Sequence, residues 1–422
     1  MRADLAAPAR EARIGGVPVA MLAAAYDTPL LAFDEAALDE RIATFGALGA
    51  ELGIDVAYAG KAFLCVAFVR KLAASALGLD VCSLGELLTA EAAAFPTERL
   101  VMHGCGKTDA ELAAIEAGRV GRTIVDNAEE LARLAALRPA RPIDVLLRAN
   151  TGIEAHTHAF VRTGGEDTKF GFPSGDVPAA IAAAAAAPGL RLRGLHAHVG
   201  SQVVDAAPFL ANLDALLELA AAAASAGVAF DQLVVGGGFG VPATAREPVL
   251  DLRATLRAVA ARARDGAAAR GLPELRIGIE PGRAIVAAAG TSLYRVASVK
   301  THGQRRFAIV DGGMADNPRP ALYGATHLPA LAGRTSHAPL VPTTVCGRSC
   351  ENDELATAEL PRDLRVGDLL MLATAGAYTY SMASNYNRFA KPAVAFARDG
   401  VHRLVVRRQA MDDVLREDVR EM

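Results

Sequence analysis

The chain has 422 residues, 52% hydrophobic and 22% charged, with 39 glycines and 21 prolines, which is apolar material enough for two globular domains. Its net charge is −3 with acidic and basic residues interspersed, so there is no electrostatic footprint for nucleic acid or an anionic membrane, and a small-molecule partner is expected. The five cysteines, Cys65, Cys82, Cys105, Cys346 and Cys350, are an odd number without zinc-ribbon spacing; neither a disulfide framework nor a structural metal is expected, and any special cysteine is expected to be a reactive one.

The apolar stretch Val17 to Tyr26 follows Arg10 and Arg13, but further charges precede it and no cleavage site follows, so it is not read as a signal peptide. The run Leu219 to Phe230 falls short of the roughly 18 to 20 residues that span a bilayer. A cytoplasmic protein is expected.

From residue 55 the chain repeats a pattern of a short β-branched run, a polar or glycine-rich stop, and a helical stretch rich in Ala, Leu, Glu and Arg. The runs are DVAYAGK (55–61), GLDVCS (78–83), RLVMHG (99–104), RTIVDN (122–127), DVLLRAN (144–150), LRGLHAHVG (192–200), LVVGGGFG (233–240) and LRIGIEPGR (275–283). Eight such units predict an α/β fold built on a closed (β/α)8 barrel, of the TIM type. Lys61, Ser83, His103, Asn127, Asn150, His198, Gly236–Gly238 and Glu280 fall at the C-terminal ends of these strands, where barrel enzymes place their chemistry. The alanine tract 179–187 is a helix stopped by Pro188 and Gly189.

After Arg283 the pieces shorten to LYRVASVKTH, RFAIVDGGM, LVPTTVCGR, DLLMLATAGAYT and VHRLVVRR, a second and mostly β domain. The expected division is an N-terminal segment 1–33, whose GGVPVA and TPLLAFD add strands to the β domain, then a barrel at 34–285 and a β domain at 286–422.

Lys61, between small and apolar residues in YAGKAFL, is either a nucleophilic amine in an apolar pocket or a lysine whose head reaches water. Gly236, Gly237 and Gly238 after the seventh strand let backbone N–H groups approach an anion, and Gly282 and Arg283 on the eighth loop fit a phosphate beside them. A tight turn is the plainer reading of the glycines. Glu280 needs a partner, either an arginine or a heterocyclic nitrogen that it keeps protonated, as in pyridoxal 5′-phosphate (PLP) enzymes. In the second case Lys61 is the Schiff-base lysine. His196 and His198 share a strand face, but no third ligand accompanies them and no metal is expected; an imidazole against a flat cofactor fits His198 better, with Gly200 and Ser201 near its phosphate.

The segments YAGKAFL, LGLDVCSLGEL, HGCGKT, EAHTHAF, EDTKFGF, HAHVGSQ, VVGGGFG, IEPGRAIV, DGGMADNPRPALYG, CENDE and AGAYTYSMASNYN, in this order, resemble the diaminopimelate decarboxylases of the alanine-racemase-like PLP fold, within the ornithine/diaminopimelate/arginine decarboxylase family. The resemblance covers nearly the whole chain. It implies conversion of meso-2,6-diaminopimelate to L-lysine and CO2, the last step of lysine biosynthesis. It implies that Lys61 carries the cofactor, His198 stacks on its ring, Glu280 pairs with the ring nitrogen, and Ser201, the glycine loop, Gly282, Arg283 and Tyr378 surround the phosphate. It further implies that Arg283, Arg319, Tyr323, Glu351 and Tyr378 contact substrate and that Cys350 donates a proton. A homodimer with shared sites follows from it, Cys350 and Glu351 coming from the second subunit. Two segments depart from the family pattern: HGCGKT stands for HGNNKS and CENDE for CESGD. These leave open a paralogue acting on D-lysine, D-ornithine or another diamino acid. A PLP-binding protein without turnover and a cofactor-free aldolase using Lys61 are the readings from other classes; the β domain speaks against the first, and Glu280 with a phosphate loop against the second.

Overall fold

The computed structural model describes residues 12–153, 167–244 and 246–419. The segment EAHTHAF and Glu166 of EDTKFGF, part of the resemblance above, lie outside the described residues.

Eight parallel strands form the first unit: β1 (Ile54–Ala59), β2 (Gly78–Val81), β3 (Leu100–Met102), β4 (Arg122–Val125), β5 (Ile143–Asn150), β6 (Leu190–His196), β7 (Gln232–Val234) and β8 (Arg276–Ile279). Each pairs with the next, and β8 pairs with β1 through Ile277 and Ile54, which closes the barrel. All eight runs expected from the sequence are present, because β-branched stretches of four to eight residues bounded by polar stops read unambiguously as buried strands. Val101, Ile124, Leu146 and Val234 pack together inside.

Several polar strand-end residues serve the helices rather than the mouth of the barrel. Ser83, Thr108, Asn127 and Asp251 are N-caps whose side chains accept from the backbone N–H groups of Glu86, Glu111, Glu130 and Ala254. The helix Ala207–Ser225 corrects the reading of residues 219–230 as too short: it is long and apolar enough to cross a membrane by length and composition. Here it joins β6 to β7, buries Phe209, Leu213, Leu216 and Leu217, and carries Asp214 and Glu218, which pair with Arg262 at 2.8 Å and Arg270 at 2.5 Å.

In the second unit the main sheet runs through β12 (Glu354–Pro361), β11 (Leu340–Cys346), β10 (Arg305–Val310), β9 (Gly290–His302), the strand Leu30–Asp34, β14 (Ala393–Arg398) and β15 (Val401–Val406), with β13 (Leu369–Leu372) on β9. Leu30–Asp34 pairs antiparallel with β9 and parallel with β14, so the N-terminal segment does join the β domain. Three strands of this unit, β12, β14 and the short Pro329–Leu331 on β13, were not expected; ELATAELP holds alanines and glutamates and AVAFAR alanines, which carry little β signal, and pairing with neighbours decides them. Residues 19–26 of the expected strand region form a helix instead.

Ile42–Val241 with Pro248–Ala284 forms the barrel unit, and the segments up to Arg41, Pro242–Glu247 and those from Ile285 onward form the β unit. The division falls inside the helix Glu35–Leu52 rather than before it. Glu35 and Asp39 on its first turns pair with Arg403 at 2.6 Å and Arg398 at 2.7 Å, which ties them to the β unit.

Candidate active site

After β1 the chain turns through Gly60–Ala62, and Lys61 is exposed there. The apolar-pocket reading is thereby corrected. Tyr58 and Phe63 are buried and lock the turn, the Tyr58 hydroxyl donating to the Phe63 carbonyl at 2.7 Å, and the side chain between them is directed out of the core.

Glu280 follows β8 and meets two imidazoles rather than an arginine. His196 Nε2, at the end of β6, lies 3.0 Å from its Oε2, and His103 Nε2, after β3, lies 3.3 Å from its Oε1. Burial disfavours the Glu280 carboxylate, yet His196 and His103 overcome it and hold the group well below the usual carboxylate range. Burial likewise opposes charge on His103, but Glu280 and Asp80 outweigh it and push the imidazole up to about 9. Burial lowers His196 despite Glu280, so it is neutral with its Nε2 hydrogen on the carboxylate. The site holds an ionised Glu280, a charged His103 and a neutral His196.

These three side chains also bring a His–His–carboxylate group together across the barrel, their ligand atoms within 4.8 Å of one another. The carboxylate hydrogen-bonds His196 and forms an ion pair with His103, so the two imidazoles alone satisfy it.

His198 lies beyond the end of β6, not within it. Its Nδ1 accepts the Gly237 N–H at 3.0 Å, which puts the ring hydrogen on Nε2. Burial first, then the charges of Lys61 and Arg148, lower this imidazole well below its ordinary value, so it is neutral. The Gly237 amide is therefore engaged by His198 rather than offered to an anion, which corrects one part of the glycine-loop reading. The loop also has a packing requirement: Gly236 and Gly238 have φ of +74° and +104°, and a Cβ on Gly237 would stand 2.1 Å from the Glu280 carbonyl oxygen. Beside it, Arg283 donates to Ser201 Oγ at 3.2 Å, and a Cβ on Gly282 would meet those of Ala59 and Ala62 at 3.1 Å. Lys61, His198, Ser201, Gly236–Gly238, Glu280, Gly282 and Arg283 thus share one end of the barrel.

The other expected site residues belong to the β unit. Arg319 and Tyr323 begin and end the helix Arg319–Tyr323, with Arg319 buried. Cys350 and Glu351 are exposed; the Cys350 N–H donates to Asn387 Oδ1 at 3.0 Å and Glu351 Oε1 accepts from the Tyr386 hydroxyl at 2.6 Å. Tyr378 has φ of +59°. Among the other cysteines, burial and then Glu86 push the Cys82 thiol up to about 12, and burial and then Glu354 raise Cys346 to about 11, so neither is an activated nucleophile.

The sequence reading missed Asp80 and Arg148. Asp80 is buried beside His103, its Oδ1 3.6 Å from Nε2, and Arg148 faces Asp126 at 3.7 Å. The available signal was an ionisable residue inside an otherwise apolar strand, which points inward only when the barrel is closed.

Residues 38–287 match the pyridoxal-binding domain of the pyridoxal-dependent decarboxylases. A diaminopimelate decarboxylase of Actinosynnema pretiosum subsp. auranticum is 43% identical over 97% of this chain and 93% of its own length, and one of Bacillus subtilis is 40% identical over 96% and 94%. The crystal structure of diaminopimelate decarboxylase from Helicobacter pylori complexed with L-lysine superimposes with a TM-score of 0.85 at 28% identity, covering 94% of this chain and 98% of that one. The donor set suits such a cofactor: an exposed amine, a neutral imidazole, an ionised carboxylate and a glycine turn beside an arginine lie at one barrel end.

Proposed function

Because this chain belongs to the pyridoxal-dependent decarboxylases and its cofactor is pyridoxal 5′-phosphate, we propose that it removes CO2 from meso-2,6-diaminopimelate to leave L-lysine. The observation that carries the reading is Glu280, held ionised by two histidines at the barrel end that also holds Lys61.

When bound, the cofactor supplies the electron sink for the pair released from the broken carbon–carbon bond. Lys61 would hold it covalently, and neutral His198 would face its ring. Glu280 would hold a proton at the ring nitrogen. Ser201, Gly236, Gly238, Gly282, Arg283 and Tyr378 would bind the phosphate, while the Gly237 amide holds His198. Arg283, Arg319, Tyr323, Glu351 and Tyr378 hold the substrate, whose far end carries both an ammonium and a carboxylate and so needs an anion and a cation near it. Cys350 gives a proton to the α-carbon.

The exposure of Cys350 and Glu351 supports a homodimer in which each chain completes its partner's site. A cytoplasmic setting is consistent with the absence of disulfides among the described residues. CO2 release measured across meso-diaminopimelate, D-lysine, D-ornithine and the L forms tests the substrate. Release from the meso isomer is expected to dominate, and an equal or higher rate with D-lysine would overturn the assignment.

A further inference from the structure

A cavity of about 650 Å3 occupies the barrel interior below this site. Asp55, Gly78, Arg122 and Arg276 line it near the N-terminal ends of the strands, and Gly278, Asp80 and Glu280 stand further along them. Barrel interiors are ordinarily filled by layers of branched side chains; here Gly78 and Gly278 line the cavity, and a Cβ would crowd the Arg99 carbonyl and Ala57 at the first and Val234 at the second. The outer end is polar, with Asp55 paired to Arg276 at 2.6 Å and to Gln232 at 2.9 Å.

Asp80 is 6% exposed, and neither of its carboxylate oxygens makes a hydrogen bond among the described residues. A buried carboxylate in that state is costly unless water reaches it, and a polar cavity of this size has room for several waters. Asp80 and Glu280 also converge on one imidazole, with His103 Nε2 3.6 Å from the first and 3.3 Å from the second.

We propose that Asp80 is a positioning residue that helps fix His103 against Glu280, and that water in the barrel cavity exchanges protons with this cluster from the N-terminal ends of the strands. The inference rests on the reading of Glu280 as the partner of the ring nitrogen. Without Asp80, one anion is left to hold the charge on His103, and an uncharged His103 gives Glu280 less support. Among the described residues the charged or titratable groups around the cluster are Lys61 after β1, Asp80 on β2, Cys105 after β3, Asp126 after β4, Arg148 on β5, His196 at the end of β6 with His198 beyond it, and Glu280 after β8.

The test is the ring-nitrogen NMR titration of His103 in the full-length, cofactor-loaded protein, assigned with His103→Gln. The wild-type midpoint is expected above the ordinary 6.5, with a second, smaller inflection where Asp80 takes up its proton. Asp80→Asn is expected to remove the inflection and lower the midpoint by about one pH unit or more. An unmoved midpoint overturns the positioning role; absence of the inflection in wild type does so without any variant. Val101→Phe, which fills the cavity, is expected to slow solvent exchange of the His103 ring N–H severalfold, and an unchanged rate overturns the water route. These readouts do not depend on turnover, whereas near-normal turnover of Glu280→Gln sinks the ring-nitrogen reading itself.

Discussion

Glu280 Oε2 and His196 Nε2, 84 positions apart in the chain, stand 3.0 Å apart and join the end of β8 to the end of β6 past the intervening β7. That bond, with the ion pair to His103, fixes the charge of the carboxylate before any ligand arrives.

Glu280→Gln is expected to retain the cofactor, since Lys61 and the glycine loop are untouched, while turnover falls by several powers of ten. A neutral amide cannot hold a proton on the ring nitrogen. Visible absorbance of the loaded protein and steady-state turnover check the two halves separately.

His103 imposes a pH dependence on stability. Its folded value of about 9 lies above the ordinary 6.5, so its contribution is complete below about 6.5 and is lost as pH rises through 9. The shift corresponds to at most about 3 kcal/mol. Thermal unfolding of the cofactor-free protein is expected at progressively lower temperature from pH 6.5 to 9, and His103→Gln is expected to flatten that decline.

Lys107 is buried inside HGCGKT, its Nζ donating to Glu130 Oε1 at 2.6 Å, to the Ile124 carbonyl at 2.7 Å and to the Gly104 carbonyl at 3.0 Å. Lys107→Met leaves Glu130 buried without its cation and is expected to cost about 3 to 5 kcal/mol in urea unfolding. Adding Glu130→Leu is expected to recover most of the loss, because the uncompensated charge is then gone.

Arg319→Ala is expected to raise KM for diaminopimelate roughly ten- to a hundredfold and that for D-lysine much less, since a charge-assisted contact is worth about 1.5 to 3 kcal/mol. Equal losses on the two substrates argue against a distal carboxylate in the cognate substrate.

Mixing Lys61→Ala protein with Cys350→Ala protein tests the shared site. Each alone is expected to be nearly inactive. After random subunit exchange half the dimers are mixed and each has one intact site of two, so activity is expected to approach about a quarter of wild type. No recovery, with exchange verified independently, leaves Cys350 acting within its own chain.

The barrel was legible because its strands are short, mostly apolar runs with polar stops, signals that depend on neighbours in sequence alone. Lys61, Glu280 and the glycine turn were legible for the same reason, each standing where a strand ends. Strands β12 and β14 were not, since the alanines of both and the glutamates of β12 become β only through pairing, β12 with β11 and β14 with β15 and Leu30–Asp34. The partners of Glu280 could not be read either. His196 and Asp80 lie on β6 and β2 and His103 just after β3, and only closure of the sheet turns them toward one axis. Local sequence set which residue types stand at the strand ends; the closed barrel decided which of them share a proton, because Coulomb interactions between buried groups depend on separation in space and on the water that the fold excludes.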